Sequence, residues 1–202
     1  QVLDEISMSP FKLESEIQSL IQENINNIFD NYLFISKELS VGKYRIDTLC
    51  FDEENNSFVI IEYKKGSNYS VIDQGFSYLQ LLLNNKSDFL LVLSEYFNKV
   101  MKKDDIDWSQ SRIIFISPSF NSYQKDSINF KDLPFELWEI KRFSNDTIIL
   151  DQHHPTSKEN IKSLSSPTTK GIINDVTKEI KTMGVDDHFS KSDPEVIQIW
   201  NQ

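Results

Sequence analysis

Apolar residues near the start of the chain recur with the period of an α-helix. The members of this stripe are Leu13, Ile17, Leu20, Ile21, Ile25 and Ile28. Spacings of three and four residues place them on one helical face, and Ser9-Pro10 is typical of an N-cap followed by a first turn. The pattern therefore predicts a helix over residues 11–25, with Glu14 beside the buried stripe and one turn before Gln18.

The next part of the chain holds two apolar runs separated by a polar, Asn-rich turn. The runs cover residues 44–51 and 58–64, and the turn covers residues 52–57. Such a pattern is typical of a β-hairpin. Residues 33–39 are expected to form the strand before it, which turns through Val41-Gly42-Lys43 into the hairpin.

The remaining pattern completes one α/β domain. Residues 89–93 are apolar throughout, so helix and strand both stay open there. The other predicted elements are a helix over about residues 70–83, a strand over 112–117, a short helix near 123–130, and strands over 135–143 and 147–150.

Three charged residues lie in the predicted hairpin. Asp47 is on the first strand, and Glu62 and Lys64 share one face of the second, because side chains alternate along a strand. Charges in a buried strand are costly unless they are paired or bind a metal. Two carboxylates beside an amine suit a hard cation and the activation of water for cutting phosphodiesters. A Glu-x-Lys triplet alone is more often a solvated strand face.

The order of these residues resembles a known nuclease family. Glu14, Asp47, Glu62-Tyr63-Lys64 and Gln74-x-x-x-Tyr78 together are similar to the PD-(D/E)XK nuclease superfamily, in its RecB-like branch. The local sequence also resembles uncharacterised prokaryotic proteins and archaeal-type mismatch and branched-DNA endonucleases. The resemblance covers roughly residues 9–150. It implies an α/β, restriction-endonuclease-like core, with a mixed central β-sheet flanked by helices in the order αβββαβ.

The resemblance implies a metal site and a catalytic lysine. Asp47 and Glu62 would bind Mg²⁺ or Mn²⁺, together with the carbonyl of Tyr63, and Lys64 would position the attacking water. Glu14 would act from the first helix through a water or a second metal. Ile46 stands where the superfamily name has a proline, and many members lack that proline.

Further residues would support catalysis or contact nucleic acid. Gln74 would orient Lys64 or a phosphate, and Tyr78 would brace its helix or contact nucleic acid. Arg45 and Lys65 are the other expected nucleic-acid contacts, although Arg45 is equally a salt-bridge candidate. Glu16 competes with Glu14 for the helix position, and its place relative to Gln18 favours Glu14.

Composition fits a cytoplasmic protein without a membrane segment. The 202 residues are 39% hydrophobic and 12% aromatic, enough for a sizeable core. No apolar run approaches the roughly 18–20 residues of a membrane span. A single cysteine, Cys50, excludes an intrachain disulfide and is expected in the core.

Charge weighs against tight binding of nucleic acid. The formal net charge is −10. Residues 1–150 hold 15 Lys and Arg against 23 Asp and Glu, which gives −8. Binding to a phosphate backbone normally needs a basic surface. We therefore expect a weak binder of DNA that relies on a partner domain, a homodimer or a special DNA structure, such as branched, mismatched or single-stranded DNA.

The character of the chain changes after residue 150. Residues 151–184 are polar and punctuated by Ser and Pro, and are predicted to be a linker. His153 and His154 have no second ligand pair at useful spacing, so no metal site is expected there. Residues 185–202 carry a helix-start signal at Ser192-Asp193-Pro194-Glu195. We interpret them as the start of a truncated second domain, or as a C-terminal docking helix.

The leading hypothesis is a metal-dependent nuclease that hydrolyses DNA phosphodiester bonds in prokaryotic defence, restriction or repair. The alternative is a catalytically inactive nuclease-fold module that binds nucleic acid or protein. An RNA nuclease is a third option, and no RNA-binding motif of stacking aromatic residues supports it.

Overall fold

The computed structural model describes residues 5–66, 70–130 and 133–157. The helices in chain order are α1 Glu14–Glu23, α2 Ile25–Ile28, α3 Val71–Asn84, α4 Lys86–Phe97 and α5 Ser122–Ser127, with 3₁₀ turns at Lys103–Asp105 and Trp108–Gln110. The strands are β1 Tyr32–Val41, β2 Tyr44–Asp52, β3 Ser57–Tyr63, β4 Arg112–Ser117, β5 Phe135–Arg142 and β6 Ile148–His153.

The six strands form one mixed sheet in the order β1-β2-β3-β4-β5-β6. β1, β2 and β3 form an antiparallel meander. β3, β4 and β5 are parallel, and β6 returns antiparallel to β5. Parallel neighbours need a crossover connection, which α3 and α4 supply between β3 and β4, and α5 between β4 and β5. The expected α/β class and the αβββαβ order are confirmed.

Apolar cores cover both faces of the sheet. On one face α1 packs through Ile17 and Ile21 against Cys50, and all three side chains are fully buried. On the other face Leu82 of α3 and Phe89 of α4 belong to the second core. β3 is buried along its whole length, because helices lie on both of its sides, and this explains its continuous apolar sequence. The predicted core position of Cys50 is confirmed.

The start of the first helix differs from the prediction. α1 begins at Glu14, and Leu13 rather than Ser9 is its N-cap. The N–H of Ser9 donates to the carbonyl of Arg142 at 2.8 Å, and Met8 forms a bridge with Phe143. Residues 8–9 therefore pair with the end of β5, and this long-range pairing overrides the local capping signal.

The open choice at residues 89–93 is decided in favour of helix, since they lie within α4. Both strands of the predicted hairpin are present, and the helix near residues 70–83 is α3, which begins after the N-cap Ser70. β6 runs on to His153, three residues beyond the end of the strand predicted over residues 147–150.

The chain divides by contacts into Gln1–Lys158 and Glu159–Gln202. Residues 158–202 lie outside the described residues, and so do the predicted segment 185–202 and most of the predicted linker. The domain division therefore stays a prediction. Among the described residues, no helix has both the length and the apolar character that crossing a bilayer requires.

Candidate active site

The candidate site lies where the ladder between β2 and β3 ends. The strands pair from Asp52↔Ser57 up to Thr48↔Ile61. Beyond that last pair, the N–H of Tyr63 donates to the Oδ2 atom of Asp47 at 3.2 Å. A side-chain carboxylate thus takes a backbone donor that would otherwise continue the ladder. This contact places the Asp47 carboxylate beside the end of β3, next to Glu62.

Glu62 is only 4% exposed, and both of its carboxylate oxygens accept hydrogen bonds from protein side chains. Its Oε1 atom accepts hydrogen bonds from Lys64 Nζ at 2.8 Å and from Gln74 Nε2 at 2.6 Å. Its Oε2 atom accepts one from the Tyr78 hydroxyl at 2.9 Å. Gln74 and Tyr78 are one helical turn apart on α3, so the helix fixes the orientation of this carboxylate.

A glycine lets α3 approach the sheet closely enough for these contacts. A Cβ atom added at Gly75 would lie 2.8 Å from the ring of Phe135 on β5. No side chain fits in that space without displacing the ring or the helix. Gly75 therefore permits the helix position from which Gln74 and Tyr78 reach Glu62.

The site has an excess of negative charge. Burial and, next, the Glu62 carboxylate raise the pKa of Asp47 from 3.8 to about 6, against the opposing effects of the Tyr63 N–H and the Lys64 ammonium. Glu38 raises the pKa of Asp47 further. Two carboxylates and one ammonium leave a net negative charge, which favours a cation.

The donor set fits a hard cation. Mg²⁺ is usually bound through one or two carboxylates, with waters and substrate phosphates completing its shell. Asp47 and Glu62 supply such carboxylates, and the Tyr63 carbonyl is the third predicted protein ligand. No group of three or more His, Cys, Asp or Glu side chains arranged for a metal occurs in the part of the chain that the structure describes. A site of two carboxylates and a carbonyl does not need such a group.

The structure brings Glu14, and not Glu16, to the end of β3. The Oε1 atom of Glu14 accepts a hydrogen bond from the N–H of Lys65 at 2.9 Å. Glu16 pairs instead with Arg142, the last residue of β5, at 3.2 Å. Glu14 is thus the α1 carboxylate beside the Glu62-Tyr63-Lys64 segment, as the sequence favoured.

The three expected nucleic-acid contacts lie in different environments. Arg45 forms an ion pair with Glu38, and 67% of its side chain is exposed. Lys65 is exposed at the edge of the site. Tyr78 is only 4% exposed, and its hydroxyl contacts Glu62 and the carbonyl of Arg45. For Tyr78 the geometry favours the bracing alternative, since its side chain lacks the exposure that contact with nucleic acid requires.

Sequence reasoning missed Glu38 and the two glutamines of α1. Glu38 has a left-handed backbone conformation, with φ of 53°. Gln18 donates to Glu38 at 3.0 Å and to the carbonyl of Asp47 at 3.3 Å. Gln22 donates to the same carbonyl and, at 2.7 Å, to the hydroxyl of Thr48. The spacing of Gln18 and Gln22 on the face of Glu14 was an available signal, whereas nothing in the sequence singles out Glu38.

A family match covers the segment of the chain that holds this site. Residues 13–93 match the family described as Endonuclease NucS C-terminal domain. The chain has a NucS-like nuclease fold. The matched segment of this NucS-like fold runs from the start of α1 through β3 and α3 into α4, and so contains every residue of the candidate site described above.

A curated relative covers almost the whole chain. It is an uncharacterised protein of Haemophilus influenzae, 45% identical over 194 residues, which are 93% of this chain. The chain spans 62% of that relative's length.

Two solved structures are similar at lower identity. A repair endonuclease from Pyrococcus abyssi is 20% identical with a TM-score of 0.39, over 64% of this chain and 48% of that one. A structure of an EndoMS–dsDNA complex is 21% identical with a TM-score of 0.38, over 69% and 49%. Both TM-scores lie below 0.5.

Proposed function

We propose that the chain is a metal-dependent nuclease that hydrolyses DNA phosphodiester bonds in defence, restriction or repair. The observation that carries this proposal is the meeting of Asp47, Glu62 and Lys64 where the hairpin ladder ends, with Lys64 2.8 Å from Glu62. The match of residues 13–93 to the NucS C-terminal domain supports it.

Asp47, Glu62 and the carbonyl of Tyr63 would hold Mg²⁺ or Mn²⁺. A bound metal lowers the pKa of a coordinated water and offsets charge that develops on the phosphate. Lys64 would orient the attacking water or stabilise the developing charge through its ammonium group. The hydrogen bonds from Gln74 and Tyr78 keep the Glu62 carboxylate in one orientation, which pre-forms one of the three proposed protein ligands.

Glu14 supplies a further acid at the rim of this site. Its carboxylate accepts a hydrogen bond from the backbone N–H of Lys65, the residue that follows the proposed catalytic lysine. From there it would act through a water or a second metal ion. Arg45 and Lys65, both exposed, would contact the backbone of the substrate.

The substrate we propose is DNA, in a form that compensates for the acidic surface. A net charge of −10 opposes tight binding to an ordinary duplex. Branched, mismatched or single-stranded DNA, a homodimer, or a further domain would supply the missing affinity. The same charge favours the alternative of an inactive nuclease-fold module.

The test is a cleavage assay on the full chain. Labelled single-stranded, duplex, mismatched and branched DNA and an RNA strand are incubated with Mg²⁺, Mn²⁺ or EDTA. We expect cleavage of at least one DNA substrate with metal and none with EDTA. Glu62→Ala and Lys64→Ala should abolish cleavage. The control variants Glu53→Ala and Lys99→Ala, at exposed positions away from the site, should cleave as the parent does.

Unchanged cutting by either site variant would contradict the mechanism, as would cutting that EDTA does not stop. Binding of DNA without cleavage of any substrate under any metal would favour the inactive module. Cleavage of RNA alone would replace the proposed substrate while leaving the metal chemistry in place.

A further inference from the structure

Glu38 occupies an unfavourable backbone conformation next to the candidate site. It lies within β1, between the pairs Lys37↔Thr48 and Leu39↔Ile46, and therefore across the ladder from Asp47. Its φ of 53° is left-handed. For a residue other than glycine this conformation costs about 1–2 kcal/mol, and such residues cluster at functional sites. The reason for keeping a glutamate here is to be sought in its side chain.

The Glu38 carboxylate joins two parts of the site. Its Oε2 atom pairs with Arg45 Nε at 2.6 Å. Its Oε1 atom accepts from Gln18 Nε2 at 3.0 Å, and the same nitrogen lies 3.3 Å from the carbonyl of Asp47. One carboxylate thus fixes a guanidinium relative to the strand that carries the proposed metal ligand.

Arg45 is also fixed at its main chain. The Tyr78 hydroxyl lies 3.1 Å from the carbonyl of Arg45 and 2.9 Å from the carboxylate of Glu62. The backbone of Arg45 and the second proposed metal ligand therefore share one contact. Arg45 is therefore held at both ends: Tyr78 of α3 contacts its main-chain carbonyl, and Glu38 contacts its guanidinium.

The outer edge of the guanidinium stays available. Glu38 contacts the guanidinium at the Nε atom, the nitrogen nearest the main chain. The side chain is 67% exposed. A guanidinium presents five N–H donors in a planar fork that matches the oxygens of a phosphate. A guanidinium held at Nε in an exposed side chain can still offer its Nη donors to a phosphate.

We propose that Glu38 is a positioning residue that holds Arg45 as a preorganised clamp for a DNA phosphate next to the cleavage site. The inference rests on the proposed function, because it assigns the substrate to the same site. Immobilising a flexible side chain on binding costs about 0.5–1.5 kcal/mol. The contact with Glu38 already immobilises Arg45 in the free protein, so this cost does not reduce the affinity for DNA. This accounts for an acidic residue beside a surface that binds an anion.

The test compares DNA binding by Glu38→Ala, Arg45→Ala and the double variant. Anisotropy of labelled DNA is measured with the full chain in EDTA, so that no cleavage occurs, over a series of salt concentrations. We expect Arg45→Ala to weaken binding about tenfold and to reduce the salt dependence by about one ion. Glu38→Ala should weaken binding about threefold, although it removes a negative charge. The double variant should bind no more weakly than Arg45→Ala.

Controls separate the clamp from plain electrostatics and from folding. Glu53→Ala removes an equal charge at an exposed position and should not weaken binding. Glu38→Gln keeps an oxygen acceptor for Arg45 and should restore part of the affinity. If Glu38→Ala does not fold, Glu38→Gly replaces it, because glycine accepts the left-handed backbone without strain.

Tighter binding by Glu38→Ala would overturn the clamp, since it would show simple repulsion between Glu38 and DNA. Additive losses in the double variant would overturn it as well, and so would the absence of any DNA binding by the parent. Coupled binding losses without metal-dependent cleavage would overturn the proposed function alone. Cleavage by a parent whose two variants are independent would overturn the clamp alone.

Discussion

Replacing Asp47 with asparagine should stabilise the metal-free protein while removing its activity. The carboxylate is partly buried, and this burial and, next, the Glu62 charge raise its pKa from 3.8 to about 6. A carboxylic acid with a raised pKa binds its proton more tightly in the folded state than in the unfolded chain. Its contribution to stability is therefore full below pH 3.8 and is lost as the pH rises through 6.

The size of the effect follows from the shift in pKa. A rise from 3.8 to about 6 corresponds to about 3 kcal/mol once the group is ionised, and solvent screening of a partly exposed group reduces this to about 2 kcal/mol. Asparagine carries no charge and retains an oxygen that can accept the N–H of Tyr63. For a domain of about 150 residues, a gain of this size raises the melting temperature by about 4–8 °C.

The assay is thermal unfolding followed by circular dichroism, in EDTA, from pH 4 to pH 8. The parent should lose stability between about pH 4 and pH 6 relative to Asp47→Asn, and the gap should be full at pH 8. Asp30→Asn removes one exposed negative charge and is the matched control. Mg²⁺ should then raise the melting temperature of the parent but not that of Asp47→Asn.

Equal or lower stability of Asp47→Asn at pH 8 in EDTA would refute the reasoning. It would mean that the Asp47 carboxylate is compensated in the folded protein and that the site has no excess charge for a cation to neutralise. A gap that does not change with pH would refute it too, because the stabilisation would then have another origin.

Three further substitutions test the surroundings of the site. Tyr78→Phe should lower the rate of cleavage at saturating substrate about tenfold, because Glu62 loses one of its orienting donors; comparing its circular dichroism with that of the parent checks the fold. Gly75→Ala should destabilise the protein by about 1–2 kcal/mol in urea unfolding, since the clash with a β5 ring outweighs the better helix propensity of alanine. Arg112→Ala should cost about 3 kcal/mol in the same assay, because it leaves the buried Asp52 carboxylate without its 2.6 Å ion pair.

Local sequence was sufficient for most of the elements. The hairpin, the helix after Ser70 and the strand over residues 112–117 were predicted from patterns only a few residues long, and the structure confirms them. Periodicity and turn composition act over such short stretches, so they can be interpreted without the rest of the fold. The expectation that Glu14 takes part in the site came from the family resemblance, and the structure places its carboxylate at the end of β3.

Local sequence was not sufficient where distant segments meet. Ser9 lost its predicted capping role because the backbone around it pairs with the end of β5, 133 positions away. Glu38 carries no distinguishing local pattern, and only the pairing of β1 with β2 brings it across from Asp47.

The chain by itself thus determined which residue types are present, in what order, and on which elements. The tertiary structure decided that the β2–β3 ladder ends at Thr48↔Ile61, that α3 holds the Glu62 carboxylate, and that the pKa of Asp47 is raised to about 6. These outcomes depend on burial and on charges brought together across the sheet. Both arise from contacts between residues far apart in sequence, for which no short stretch carries a signal.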